Sequence, residues 1–269
     1  MTAGGAAGSG GLRGASVLIP RGGAWGARVR ADLERRGAEG IVAPVIASAA
    51  PRDLTARDRA FAALAAGEYA WLFVTSAAAV EQLARHGVTV PATTQIAAVG
   101  SATARAVADA GSEVAFVPAG QSSAAALTAQ WCAGRDPRAT GRCLVLRSDL
   151  ATSVVSDELE LRGFSVDVCI GYRTVGVDLA PEVRDRIGSG EVDVILLTSL
   201  SVARELRRQI GIPPASTLVA SIGPGTTRDA AKIGFTVGHT ARTQSVDALV
   251  AELDDSRIPL ASARTETTP

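Results

Sequence analysis

The chain has 269 residues, 47% hydrophobic and 20% charged, which is enough for two modest domains with filled cores. Lys plus Arg and Asp plus Glu each number 27, so a net charge of zero excludes a global field that gathers nucleic acid or an anionic membrane, and an anionic ligand has to be held by local donors. Three unpatterned cysteines (Cys132, Cys143, Cys169) indicate reduced thiols in the cytoplasm, while only two histidines (His86, His239) argue against a His-rich metal site or a histidine-based catalytic triad.

In chain order, residues 1–15 read as a flexible Gly/Ala/Ser tail and not as a signal peptide. "SVLIP" then predicts a strand, and Arg28–Arg36 a helix stopped by Gly37. "AWLFVTS" leads into a helix over Ala77–Arg85 with a stop at Gly87, and "QIAAVG" into one over Ala102–Ala110 closed by Gly111. "EVAFVP", "RCLVLR", "SVDVCIGY" and "VDVILLTS" predict further strands, the last followed by a helix over Val202–Gln209. "TLVASIG", an alanine-rich helix ending at Gly234, and "FTVGHT" complete the series, with 259–269 as a second tail. Nearly continuous apolar strands alternating with helices predict an α/β fold of parallel sheets covered on both faces. No apolar run reaches the roughly 20 residues that span a bilayer.

The chain repeats itself. "IAAVGSATARAVADAG" and "VASIGPGTTRDAAKIG" place Thr103 and Thr226, and Gly111 and Gly234, 123 residues apart. The serines of "VTS" (Ser76) and "LTS" (Ser199) keep that offset, whereas Arg21 and Arg147, Leu33 and Leu159, and Gly37 and Gly163 are 126 apart. One small loop indel reconciles the two offsets, so two halves share one architecture.

Each landmark falls where a strand gives way to a helix, at the carboxyl edge where open parallel sheets bind ligands. Ser76, Ser199, Thr103 and Thr226 fit helix caps, whose free backbone N–H groups suit an anion. The simpler use is capping alone. Arg21 and Arg147 end equivalent strands and can clasp a carboxylate, or instead pair within their own domain. Tyr172, one of two tyrosines, can donate a proton without carrying charge, or can serve only in packing. There is no GxxxxGK[ST] and no strand-following GxGxxG, so no nucleotide cofactor is indicated.

"VLIPRGGAWGARVRADLERRGAE", "YAWLFVTSAAAVEQL", "IAAVGSATARAVADAG", "GYRT", "VDVILLTSLSVARELRR", "IGPGTTRDAAKIG" and "QSVDALVAEL", in this order over about Ser16 to Leu253, resemble the uroporphyrinogen-III synthase family. Gly22 stands where the family often has proline, and Gly225 where a threonine often precedes the retained Thr226. The resemblance implies two flavodoxin-like three-layer α/β domains, 16–45 plus 174–258 and 46–173, joined by a two-stranded connector with a cleft between the domains. It implies a cofactor-free, metal-free, monomeric lyase closing hydroxymethylbilane to uroporphyrinogen III, with a transient contact to hydroxymethylbilane synthase and no nucleic-acid or membrane partner. Tyr172 would be the proton donor. Arg21, Ser76, Ser101, Thr103, Arg147, Ser148, Ser199, Gly223 and Thr226 would bind substrate. The competing function is a non-catalytic two-lobed sensor of an anionic small molecule or tetrapyrrole.

Overall fold

The computed structural model describes residues 11–120 and 122–256. The chain forms two compact units: unit 1 holds the residues up to 47 and from 176 onward, and unit 2 holds 48–175. The chain therefore passes from one unit to the other twice.

In unit 1, strands β1 (Ser16–Ile19), β2 (Glu39–Val42), β8 (Val194–Leu197), β9 (Leu218–Ser221) and β10 (His239–Thr240) line up as β10-β9-β8-β1-β2, every pair parallel. Side chains alternate across the sheet. Val17, Ile19, Val194 and Leu196 pack on one face with α1 (Gly23–Arg35) and α11 (Val246–Asp255). Leu18, Ile195 and Leu197 pack on the other with α8 (Pro181–Gly188), α9 (Leu200–Ile210) and α10 (Pro224–Lys232). Burial on both faces explains the continuous apolar runs, and each such side chain contributes about 1.5–3 kcal/mol.

In unit 2 the sheet order is β3-β7-β6-β4-β5, formed by β3 (Ile46–Ala49), β7 (Val166–Gly176), β6 (Cys143–Ser148), β4 (Trp71–Val74) and β5 (Gln95–Ala98). Helices α2 (Leu54–Ala65), α3 (Ala77–Arg85) and α4 (Ser101–Asp109) cover one face, and α5 (Ala124–Trp131) and α7 (Val154–Leu161) the other. A short α6 (Pro137–Thr140) precedes β6. Each unit is thus three-layered.

The repeat reaches individual hydrogen bonds. Thr94 Oγ1 donates to the Tyr69 carbonyl at 2.6 Å and Thr217 Oγ1 to that of Val192 at 2.8 Å, again 123 residues on. Val99 N donates to Val74 O, and Ile222 N to Leu197 O. Strands β5, β4, β6, β7 correspond to β9, β8, β1, β2. The first strand-helix-strand segment of each sequence repeat is consequently built into the sheet of the other repeat.

Several expectations change. Residues 11–15 are not a loose tail: Leu12 and Ala15 are fully buried, and Gly11 N donates to Asp254 O at 2.6 Å. The remainder of the expected tails, 1–10 and 259–269, lies outside the described residues. "EVAFVP" is reduced to a single bridge from Phe116 to Ala97, because Pro118 has no N–H to continue a ladder. "FTVGHT" shrinks to His239–Thr240. Helix α1 starts at Gly23, five residues before the predicted start, over a tight approach: a Cβ on Gly26 would lie 2.3 Å from the Arg21 carbonyl oxygen. Gly111 and Gly234, at φ 82° and 92°, are the left-handed stops after α4 and α10.

Candidate active site

In unit 2 the carboxyl ends of β4, β6 and β7 gather polar side chains at one edge. Ser76 follows β4 and caps α3, its Oγ accepting from Ala79 N at 3.2 Å. Tyr172 sits opposite Ser148 across a register shift between β6 and β7. Its ring is only 5% exposed, packed in the core beneath α2 and α3, and its hydroxyl lies 2.9 Å from Ser76 Oγ. Either hydroxyl can be the donor in that pair. Ser148 is buried at the end of β6. Asp149 ties the next loop to β7, its N donating to Tyr172 O at 3.1 Å and its Oδ1 accepting from Thr174 N at 3.0 Å.

Helix α4 begins after Gly100, whose extended backbone provides no side-chain cap. Its first-turn N–H groups are therefore available to an anion. Ser101 is exposed there, and Thr103 is buried in the same first turn. A Cβ at position 100 would lie 2.4 Å from Ser122 Oγ, so glycine keeps this approach open.

Unit 1 repeats the arrangement. Ser199 caps α9 by accepting from Val202 N at 3.3 Å. Gly223 precedes α10, again without a side-chain cap, and Thr226 is half-buried in its first turn. The two arginines differ. Arg147 Nη1 donates to the Ala151 carbonyl of its own loop, and among the described residues its buried Nε finds no hydrogen-bond partner. Arg21 instead lays its guanidinium 5.2 Å over the Trp25 ring.

Two features escaped the sequence reading. Thr198 Oγ1 is buried without a hydrogen-bond partner among the described residues, directly before the Ser199 cap. Thr227 Oγ1 and Thr240 Oγ1 pair at 2.7 Å beside Thr226. The repeated triplets "VTS" and "LTS" signalled Thr198, although attention fell on their serines. Among the described residues no group of three or more His, Cys, Asp or Glu is placed to hold a metal ion.

Fold and site together define a duplicated parallel α/β enzyme whose uncapped helix N-termini suit an anionic substrate, with a buried phenol beside one of the caps. The family model of uroporphyrinogen-III synthase HemD matches residues 27–251, so the chain belongs to the uroporphyrinogen-III synthase family. Among solved structures, a mutant uroporphyrinogen III synthase from Thermus thermophilus is similar with a TM-score of 0.56 at 20% identity, over 88% of this chain and 97% of that one. Uroporphyrinogen-III synthetase from Helicobacter pylori gives 0.57 at 15% identity, over 88% and 96%. Both share the fold. No curated protein matches this chain in sequence. Family membership makes the chain a uroporphyrinogen-III synthase of tetrapyrrole biosynthesis and implies hydroxymethylbilane as substrate; the sensor reading gains no support.

Proposed function

We propose that Tyr172 is the proton donor to the departing hydroxyl when hydroxymethylbilane is closed, with inversion of its last ring, to uroporphyrinogen III. The observation that carries this assignment is the 2.9 Å pairing of the Tyr172 hydroxyl with Ser76 Oγ at the carboxyl edge of unit 2. General-acid assistance of this kind contributes about 10²–10⁴-fold. The substrate supplies the rest of the reactivity, and holding its two ends together in a productive geometry is worth up to ~7–11 kcal/mol.

Ser101, Thr103, Ser148 and Ser76 in unit 2, and Arg21, Ser199, Gly223 and Thr226 in unit 1, bind the acetate and propionate groups, chiefly through first-turn backbone N–H donors. Arg147 shapes the loop after β6 and presents its remaining guanidinium N–H groups to a carboxylate. Because backbone donors persist when a side chain is trimmed, single Ser or Thr replacements weaken activity only modestly. The enzyme works as a cytoplasmic monomer, accepting substrate in transient contact with hydroxymethylbilane synthase. Among the described residues no helix is long and apolar enough to cross a membrane.

Product analysis tests the activity. Protein mixed with hydroxymethylbilane, followed by oxidation and separation of isomers, yields predominantly the type III porphyrin. Type I alone, at the rate seen without protein, overturns the reading.

A further inference from the structure

Unit 2 contains a cavity of about 250 Å³ that the reaction does not use. It lies between the sheet and helices α3 and α4, lined from Val74 in β4 and Val80 in α3 to the glycine stops Gly87 and Gly111. Leu72, Leu83, Ile96 and Val107 form its apolar wall, and Thr89 and Ser112 add hydroxyls to its lining. The internal repeat identifies what is missing. Ser112 N donates to Val107 O at 3.1 Å, and Phe235 N donates to Ala230 O at 3.1 Å, each just after the left-handed Gly111 or Gly234. The backbones coincide in kind, 123 residues apart, so Ser112 stands where unit 1 has Phe235. Phe235 is 3% exposed and packs with Ile195, Leu206, Val219 and Ala230, the counterparts of that same wall. Ala110 likewise replaces the partly buried Ile233.

We propose that this cavity is a binding site for a small uncharged ring compound, one aromatic ring bearing at most one hydroxyl. The ring takes the place that Phe235 fills in unit 1, and its hydroxyl meets Ser112 or Thr89. An engineered apolar cavity of about 150 Å³ already accepts benzene, so the space suffices.

Phenol titrated into the full chain tests this. Saturable shifts of the Leu83, Ile96 and Val107 methyl resonances are expected, with those of Leu206 and Val219 unmoved, and a melting temperature raised by about 2–4 °C or more. Ser112→Phe should raise the melting temperature without ligand and abolish the phenol response. Ala110→Ile should weaken phenol binding in the same direction, and it provides the filled-cavity comparison where Ser112→Phe does not fold. Absence of saturable shifts in the wild-type chain overturns the proposal, as does an unchanged phenol response in a folded Ser112→Phe or Ala110→Ile protein.

Discussion

Trp131 in α5 of unit 2 and Leu253 in α11 of unit 1 occupy matching places, each eight residues after a serine cap (Ser123 and Ser245), and both are fully buried. Around Trp131 the packing is aromatic: Trp71, Phe73 and Phe164 lie with ring centroids 4.8–5.0 Å away, and Arg135 stacks at 4.8 Å. Around Leu253 it is aliphatic, with Leu33, Val246, Leu249 and Val250. The same strand plan and the same hydrogen bonds therefore tolerate two different fillings, since volume and patterning matter more to a core than residue identity. At the carboxyl edges the contrast is chemical. Both tyrosines of the chain, Tyr69 and Tyr172, lie in unit 2, so unit 1 has caps and donors but no phenol.

Four experiments break or sharpen that contrast. Tyr172→Phe is expected to lower kcat by about 10²–10⁴-fold while substrate affinity changes little. A wild-type rate with normal binding would show that the units do not differ in acid chemistry. Trp131→Ala should destabilise unit 2 by about 3–5 kcal/mol, and Leu253→Ala should cost unit 1 about 2–5 kcal/mol, each read by denaturant unfolding. Equal losses would mean that the larger ring and its aromatic neighbours add nothing over what the leucine contributes in unit 1.

Alkaline pH should separate the units next. Burial pushes the Cys143 and Cys169 thiols up to about 12, and burial together with the hydrogen bond to Asp167 does the same for the Tyr69 phenol. These groups are neutral when protonated, and their unfolded counterparts release protons from about 8.5 and about 10. The stability they confer is therefore complete below about pH 8 and falls as pH rises from about 9 towards 12. All three belong to unit 2. In a Trp25→Phe variant, whose remaining tryptophans Trp71 and Trp131 report unit 2, the unfolding midpoint should drop between about pH 8 and pH 11. The smallest effect is expected from the caps. Ser76→Ala and Ser199→Ala each remove an acceptor worth about 1 kcal/mol, but Ser76→Ala also deletes a hydroxyl that pairs with Tyr172 and should reduce turnover more.

Much of this was readable in the chain. Strands made of aliphatic and aromatic residues, such as β1, β4 and β8, declare themselves because both their faces are buried. β2, "EGIV", and β3, "IASA", do not, since glycine and alanine carry little strand preference and pairing with β1 and β7 imposes the conformation. The repeat was visible, but by itself it did not show the exchange of segments between the sheets, which only the family resemblance implied: similarity between residues does not reveal which of them touch. Within the site, Ser76 and Tyr172 stood out singly, yet their meeting across 96 residues is a property of the sheet order. The turning back of Arg147 was invisible for another reason, because its acceptor is a main-chain carbonyl that any residue would offer.

The interior position of β1, between β8 and β2, has a consequence during synthesis. Its partner on one side, β8, is translated about 175 residues later, so Val17, Leu18 and Ile19 leave the ribosome long before anything can cover both their faces. Unit 2, whose strands and helices emerge consecutively, can close while the beginning of the nascent polypeptide still waits. At elongation speeds of about 5–20 residues per second, that delay lasts on the order of ten seconds or more. The apolar side chains of β1 must stay unaggregated for that interval, which is the demand this topology places on a strand of four residues.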